Sequence, residues 1–257
     1  MKKIAIMTGA SSGIGYQLFS TMPQEFSFDE IWVIARSKNK LEELSSPCGK
    51  VVPLPLDLSD NRSIDVLIAK LNEEKPIIDL LVNCSGYGKF GKTEDIPLDE
   101  TLGMIDLNCR ALTAITHVAL PYMQKGGKII EIASVAGFQA IPYINVYSAT
   151  KAYVLSFSRA LRSEVKKQGI KVIAVCPFWT KTNFFDRAES GGKKNAVVKK
   201  YFAVYDPKKV AKRAWRDLKN GKAVSSYGAF NKFLVFCTKI LPDGIKTGVW
   251  KKSQGLK

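Results

Sequence analysis

Apolar and polar residues follow two periods along this chain. Short runs rich in Val, Ile and Leu occupy 4–7, 31–35, 51–54, 78–82, 128–133, 171–176 and 223–225. Between them, apolar positions return every three to four residues over 14–22, 38–44, 63–72, 102–123, 147–168 and 207–218. The short runs predict buried strands and the longer stretches predict helices. Strand and helix in succession predict an α/β domain, and right-handed crossovers then build a doubly wound parallel sheet of about seven strands with helices on both faces. The segment 178–205 interrupts the rhythm after the sixth strand; a loop of that length in a compact domain predicts a substrate loop or lid. Beyond the last strand, 228–257 reads as a basic amphipathic C-terminal extension. There Phe230, Phe233, Leu234, Phe236, Ile240 and Leu241 recur at helical spacing among Lys232 and Lys239.

Composition keeps this picture within one domain. At 257 residues, 46% apolar and 24% charged, the chain can bury one large core. No stretch supplies the roughly 20 uninterrupted apolar residues of a membrane-spanning helix. The start, Met1-Lys2-Lys3 and then Ile4 to Met7, meets a glycine turn too soon for an export signal, so a cytoplasmic location is expected. Cys48, Cys84, Cys109, Cys176 and Cys237 are odd in number and widely spaced. They read as small buried hydrophobes, and neither a disulfide framework nor a metal site is expected. His117 stands alone in a predicted helix and reads as structural.

Charge is unevenly spread. The net charge is +16, and residues 193–257 hold 17 Lys or Arg against 3 acidic residues. A solvated basic face around a packed terminal helix is the plainer reading; peripheral contact with an anionic membrane is the other. No nucleic-acid reader motif accompanies the charge, and no nucleic-acid partner is expected.

The first strand runs into Thr8-Gly9-Ala10-Ser11-Ser12-Gly13-Ile14-Gly15 and a helix. Glycines let the backbone turn sharply and approach a ligand, while a helix N-terminus favours the negative charge of a pyrophosphate. The turn reads as a dinucleotide cradle in a single Rossmann-type domain spanning 1–257; a tight turn without ligand would use the same glycines. The second strand ends in Ala35-Arg36-Ser37. An acidic residue there suits the ribose of NAD, whereas Arg36 and Ser37 suit a 2′-phosphate, which points to NADP(H). A solvated loop arginine is the alternative.

Tyr147-Ser148-Ala149-Thr150-Lys151 opens a predicted helix, and Ser134 closes the strand before it. Four residues apart, Tyr147 and Lys151 share a helical face. An ordinary tyrosine, with a pKa of about 10, is a poor proton shuttle near neutrality, and a nearby ammonium favours its phenolate. Tyr147 would protonate the alkoxide formed when hydride reaches a carbonyl carbon, and Ser134 would add a hydrogen bond. Tyr143 is a control: Val146 and Tyr147, not lysine, lie one turn on, which assigns it to substrate contact or packing.

Together, Thr8 to Gly15, Asn83-Cys84-Ser85-Gly86, Ser134 and Tyr147-x-x-x-Lys151 resemble the short-chain dehydrogenase/reductase family in an NADP-preferring form, over residues 1–220. The resemblance implies cofactor contacts from Gly9, Ser11, Ser12, Gly13, Ile14 and Gly15. It extends them to Asp57 and Leu58 beside the adenine, Asn83 at the ribose and sheet edge, and Gly86, Tyr147 and Lys151. Pro177, Thr180 and Thr182 follow, with Thr182 near the nicotinamide carboxamide. Asn108 would join Ser134, Tyr147 and Lys151 by holding a water that relays protons to the lysine. A homodimer or homotetramer through 102–123 and 147–168 is also implied. Two departures stand out: Cys84-Ser85 within the Asn-Ala-Gly type run, and Phe178 where glycine usually follows the proline.

Aromatic residues crowd the loops expected at the strand ends. Tyr87, Phe138, Tyr143, Phe178, Trp179 and Phe184 are the candidate substrate contacts. They suggest a bulky apolar substrate such as a steroid or bile acid, interconverted between secondary alcohol and ketone. A fatty-acyl, retinoid or other small carbonyl substrate, or a catalytically idle NADP-sensing protein, remains open.

Overall fold

The computed structural model describes residues 1–45, 49–189 and 197–256. Seven strands form one sheet: β1 (Lys3–Thr8), β2 (Glu30–Ala35), β3 (Val51–Pro55), β4 (Ile77–Asn83), β5 (Met123–Ile132), β6 (Lys171–Val175) and β7 (Val224–Ser225). Their order is β3-β2-β1-β4-β5-β6-β7, with every pair parallel. The order reverses between β1 and β4, so a crevice opens there beyond the carboxyl ends of the strands.

Strand alternation sorts the core into two layers. Ala5, Met7, Val33, Ile130 and Val175 face Leu18 of α1 (Gly13–Ser20), Leu41 of α2 (Lys38–Ser45) and Trp215 of α8 (Pro207–Lys219). Ile4, Ile6, Trp32, Ile129 and Val172 face Leu67 of α3 (Asn61–Glu74), Ile115 of α5 (Leu112–Ala119) and Leu161 of α6 (Asn145–Glu164). This is the doubly wound architecture expected from the pattern.

The helix expected over 102–123 differs. It begins earlier, as α4 (Leu98–Ile105), passes through a π-helical stretch (Asp106–Ala111) and resumes as α5. Met123 has already left the helix to open β5, where it pairs with Ile78. The helix expected at 147–168 starts at Asn145 and tightens to a 3₁₀ turn over Val165–Gln168. Three further helices lie among the described residues: α7 (Phe184–Ala188), α9 (Ala229–Ile240) and α10 (Asp243–Gln254). Among the described cysteines only Cys176 is fully buried, while Cys84, Cys109 and Cys237 are half-buried; Cys48 and residues 190–196 of the predicted loop lie outside the described residues.

Candidate active site

A cleft of about 1490 Å³ follows the carboxyl ends of the strands. At one end β1 turns through the glycine run. Gly9 and Gly13 hold positive φ, +66° and +55°. A Cβ on Gly9 would sit 2.9 Å from the Cys84 carbonyl carbon, and one on Gly15 would collide with the Gly9 carbonyl oxygen. Side chains are therefore excluded where the turn passes β4. Thr8 fastens the two strands, its Oγ1 accepting from the N–H groups of Cys84 and Ser85 at 3.0 Å each. The Cys84-Ser85 departure leaves this clamp intact, because only backbone donors are used. Ser12 precedes α1 without making a side-chain cap, which leaves N–H groups of the first turn for a ligand anion.

Arg36 and Ser37 leave β2 at the rim of the same cleft, and Lys40 joins them one turn into α2. Lys40 is a second cation that the sequence reading did not single out; only its i+4 spacing from Arg36 marks it. Asp57 and Leu58 line the opposite side. Burial works against ionisation of Asp57, yet hydrogen bonds from the Ser59 hydroxyl and N–H and the nearby Arg36 charge hold its pKa below the ordinary value. A backbone approach closed to side chains, free donors at a helix start and a cationic rim fit a phosphorylated dinucleotide.

At mid-cleft, α6 presents Tyr147 and Lys151, and the end of β5 presents Ser134. Tyr147 opens on the cleft but is closely surrounded, and Phe184 packs on its ring at 5.3 Å. Desolvation pushes its pKa up to about 12, against the lowering effect of a hydrogen bond from Ser134. Lys151 lies 5.7 Å from the Tyr147 ring centroid and donates from Nζ to the Ile132 carbonyl at 2.7 Å. Burial lowers its pKa, with surrounding acidic groups opposing. The lowering influence on Tyr147 comes from Ser134, and desolvation of the phenol outweighs it.

Asn108 is fully buried in the π-helical stretch behind the lysine. Its Nδ2 donates to the Tyr87 carbonyl at 2.8 Å and to Thr150 Oγ1 at 3.0 Å, while Oδ1 accepts from the Tyr87 N–H at 3.0 Å. It fastens the loop after β4 to α6, next to Lys151.

The far end of the cleft is aromatic. Trp179 is its hub, with Phe90, Phe185, Tyr201 and Phe178 around it at centroid distances of 6.1, 5.8, 5.0 and 5.6 Å. Phe178, where glycine was expected, is accommodated by packing on Phe230 of α9 at 5.6 Å. Tyr87 is held by its hydroxyl, which donates to the Glu100 carbonyl at 3.0 Å, and by the Arg187 guanidinium over its ring at 3.4 Å. The ends of the 178–205 loop are pinned together, since Tyr205 donates to the Trp179 carbonyl at 2.8 Å and accepts from the Lys181 N–H at 2.9 Å.

Two candidate substrate contacts, Phe138 and Tyr143, do not line the cleft, and Asn83 and Asn108 are buried behind it. Asn83 turns its side chain under the end of the sheet, donating to Thr116 Oγ1 at 2.8 Å and to Glu131 Oε1 of the neighbouring strand at 3.1 Å. Asn108, as described, lies buried close to Lys151, where both side chains approach Gly86. Phe138 packs on the core and faces Arg159 at 5.4 Å. Tyr143 does not line the cleft; its carbonyl accepts from the Gly91 N–H at 2.9 Å. Conversely, α9 and α10 supply unforeseen walls through Phe230, Leu234 and Trp250. Trp250 Nε1 donates to the Pro142 carbonyl at 3.0 Å, and Gln254 accepts from the N–H groups of Lys199 and Lys200 at 2.9 Å each. A lone tryptophan amid lysines was the available signal.

The sequence pattern of the short chain dehydrogenase family matches residues 3–192. The chain belongs to that family. As a short-chain dehydrogenase it is an NAD(P)-dependent oxidoreductase. An "Uncharacterized oxidoreductase" of Staphylococcus aureus (strain MRSA252) is 32% identical over 179 residues, covering 68% of this chain and 77% of the relative. A short-chain dehydrogenase from Sphingobium yanoikuyae, solved in complex with NADPH, superposes with a TM-score of 0.76 at 25% identity, over 97% of this chain and 95% of that one. A short chain dehydrogenase from Burkholderia cenocepacia J2315, solved with NADP, shares the fold at a TM-score of 0.78 and 18% identity, over 96% and 97% of the two chains. Among the described residues no helix is long and apolar enough to cross a membrane, and no cluster of metal-ligating side chains occurs.

Proposed function

We propose that this short-chain dehydrogenase uses NADP(H) to interconvert a ketone and a secondary alcohol on a bulky apolar substrate of steroid or bile-acid size. The observation that carries the reading is the meeting of Ser134 and Tyr147 at the middle of one continuous cleft, between a cationic, glycine-lined end and an aromatic end. Arg36, Ser37 and Lys40 would hold the 2′-phosphate of the cofactor and the first turn of α1 its pyrophosphate, and the nicotinamide so held would supply or accept the hydride.

In reduction, the Tyr147 hydroxyl gives its proton to the developing alkoxide while the Ser134 hydroxyl hydrogen-bonds the same oxygen. A phenol with a pKa near 12 is protonated throughout the neutral range, the state reduction requires. Lys151, with its proton affinity lowered by burial, returns a proton to Tyr147 after turnover. Asn108 positions Lys151 and the Tyr87 loop. The NADPH complex of the Sphingobium protein supports the cofactor assignment, and the ring of Phe90, Phe178, Trp179 and Phe184 supports the apolar substrate. Leu98, Leu102 and Ile105 of α4 and Tyr153 of α6 are exposed, which supports assembly of copies through these helices.

The test is NADPH oxidation, followed by absorbance, over ketones graded from small sugars and acyl compounds to steroids and bile acids. Turnover rising with apolar bulk is expected. NADPH binding without turnover of any ketone would mark an idle cofactor-binding protein instead.

A further inference from the structure

The helices after β7 present an apolar face that the described residues leave uncovered. On α9, Phe233, Phe236 and Ile240 are 65%, 59% and 62% exposed; spacings of three and four place them on one side of the helix. The opposite side is fixed, because Asn231 is fully buried and donates from Nδ2 to the Cys176 carbonyl at 3.1 Å. The outward aim of the three side chains is therefore built into the packing. On α10, Ile245 and Val249 add 51% and 62% exposure, and Trp250 and Gln254 anchor that helix to the body. Singly exposed apolar residues are ordinary; five on two consecutive helices form a surface with a purpose.

The surroundings of this face are cationic. Lys232 and Lys239 are exposed beside the α9 stripe, and Lys251 and Lys252 follow on α10. Between residues 229 and 256 the only acidic side chain is Asp243, and it is paired with Lys246 at 2.6 Å. The face also borders the cleft: Phe230, Phe233 and Val249 are at once exposed and part of its lining.

We infer that α9 and α10 dock on an anionic lipid surface. Phe233, Phe236, Ile240, Ile245 and Val249 enter the boundary between headgroups and acyl chains, the flanking lysines meet the lipid phosphates, and the aromatic mouth of the cleft opens toward the bilayer. A second copy is the competing occupant. A two-fold contact on this face would press Lys232 and Lys239 toward their own counterparts, whereas an anionic bilayer neutralises them. A nucleic acid would match the charge but leave the aliphatic stripe against phosphates. Entry of substrate from the bilayer rests on the function proposed above; docking does not.

The test is flotation of the full chain with phosphatidylcholine vesicles, with and without phosphatidylglycerol, at low salt. The protein is expected to float with the anionic vesicles and not with the zwitterionic ones. Phe236→Ser with Ile240→Ser, outside the cleft, lowers the partition coefficient on the order of tenfold, and Lys232→Glu with Lys239→Glu lowers it as well. Both variants keep the wild-type circular dichroism and melting temperature. Absence of flotation by the wild type overturns the inference, as does flotation that neither pair reduces. So does a self-association, seen by sedimentation velocity, that Phe236→Ser with Ile240→Ser abolishes in a protein that never floats. None of these readouts requires turnover, so failure of docking and failure of the proposed reaction are separately visible.

Discussion

The two ends of the cleft are built by different means. At the cationic end the turn is shaped by backbone, with positive-φ glycines, a helix start without a side-chain cap and a strand-to-strand clamp made by Thr8. Only the rim there is set by side chains, those of Arg36, Ser37 and Lys40. At the aromatic end the shape comes from side chains contributed by distant segments, with Phe90, Phe178, Trp179, Tyr201 and Trp250 meeting across more than half of the chain. A backbone site tolerates change around it but not within its glycines. A side-chain site can be remodelled one residue at a time, so cofactor choice and substrate choice can vary independently within one fold.

Tyr147, where the ends meet, gives the largest expected effect. Tyr147→Phe should lower ketone reduction by roughly a hundredfold to ten-thousandfold while leaving NADPH binding, read by fluorescence titration, near wild type. Full retained activity would remove the phenol from the chemistry. The raised tyrosine pKa also sets a sign: alcohol oxidation, which needs the phenolate, should climb with pH through the alkaline range, whereas reduction should stay level until the phenol begins to titrate near 12.

Changes confined to one end should move only that end. Arg36→Asp should cut the NADP over NAD preference, measured as a ratio of kcat/KM values, on the order of tenfold or more, with KM for ketone unchanged. An unaltered ratio would assign the 2′-phosphate to other groups. Trp250→Ala should raise KM for bulky ketones roughly tenfold and that for small ketones little, because it removes an aromatic wall and its hydrogen bond to Pro142. Equal effects on both ketones would make Trp250 a support of the fold rather than of selectivity.

The smallest effect belongs to neither end. Glu131 lies fully buried beneath the sheet, and desolvation raises its pKa to about 8 against hydrogen bonds from Asn83 and Thr116. A carboxyl near 4.5 when unfolded and near 8 when folded binds more protons in the native state between those values. Its ionisation therefore drains stability as pH rises from about 4.5 to 8 and costs a constant amount above that. Glu131→Gln should match the wild type in melting temperature at pH 5 and exceed it by a few degrees at pH 9. No divergence across that window would place the charge on some other group.

What could be read from sequence divides along the same line. The glycine run, Arg36, Ser134 and the Tyr147–Lys151 pair depend on spacing within one strand, turn or helix, and local spacing is visible in a linear chain. Phe138 was grouped with the cleft aromatics because an aromatic residue in a loop reads the same in sequence whether it faces a pocket or packs on the core. The contribution of α10 was missed for a different reason: Gln254 meets Lys199 and Lys200 across 54 residues or more, and long-range closure leaves no periodic trace. The basic C-terminal segment, read as an extension, also turned out to hold a wall of the pocket.

The π-helical stretch at Asp106–Ala111 has a consequence for insertions and deletions. An α-helix advances its side chains by about 100° per residue, and a widened turn shifts that phase. With the shift, α4 sends Glu100 and Gly103 to the cleft while α5 sends Leu112, Ile115 and Ala119 to the core. Deleting one residue between 106 and 111 would restore regular winding and keep the two halves facing as they do, but it would close the wide turn that carries Asn108 and break the hydrogen bonds to Tyr87 and Thr150. An insertion, by contrast, would turn α5 against α4 by about 100° and send core side chains toward the cleft, so the stretch takes one fixed length.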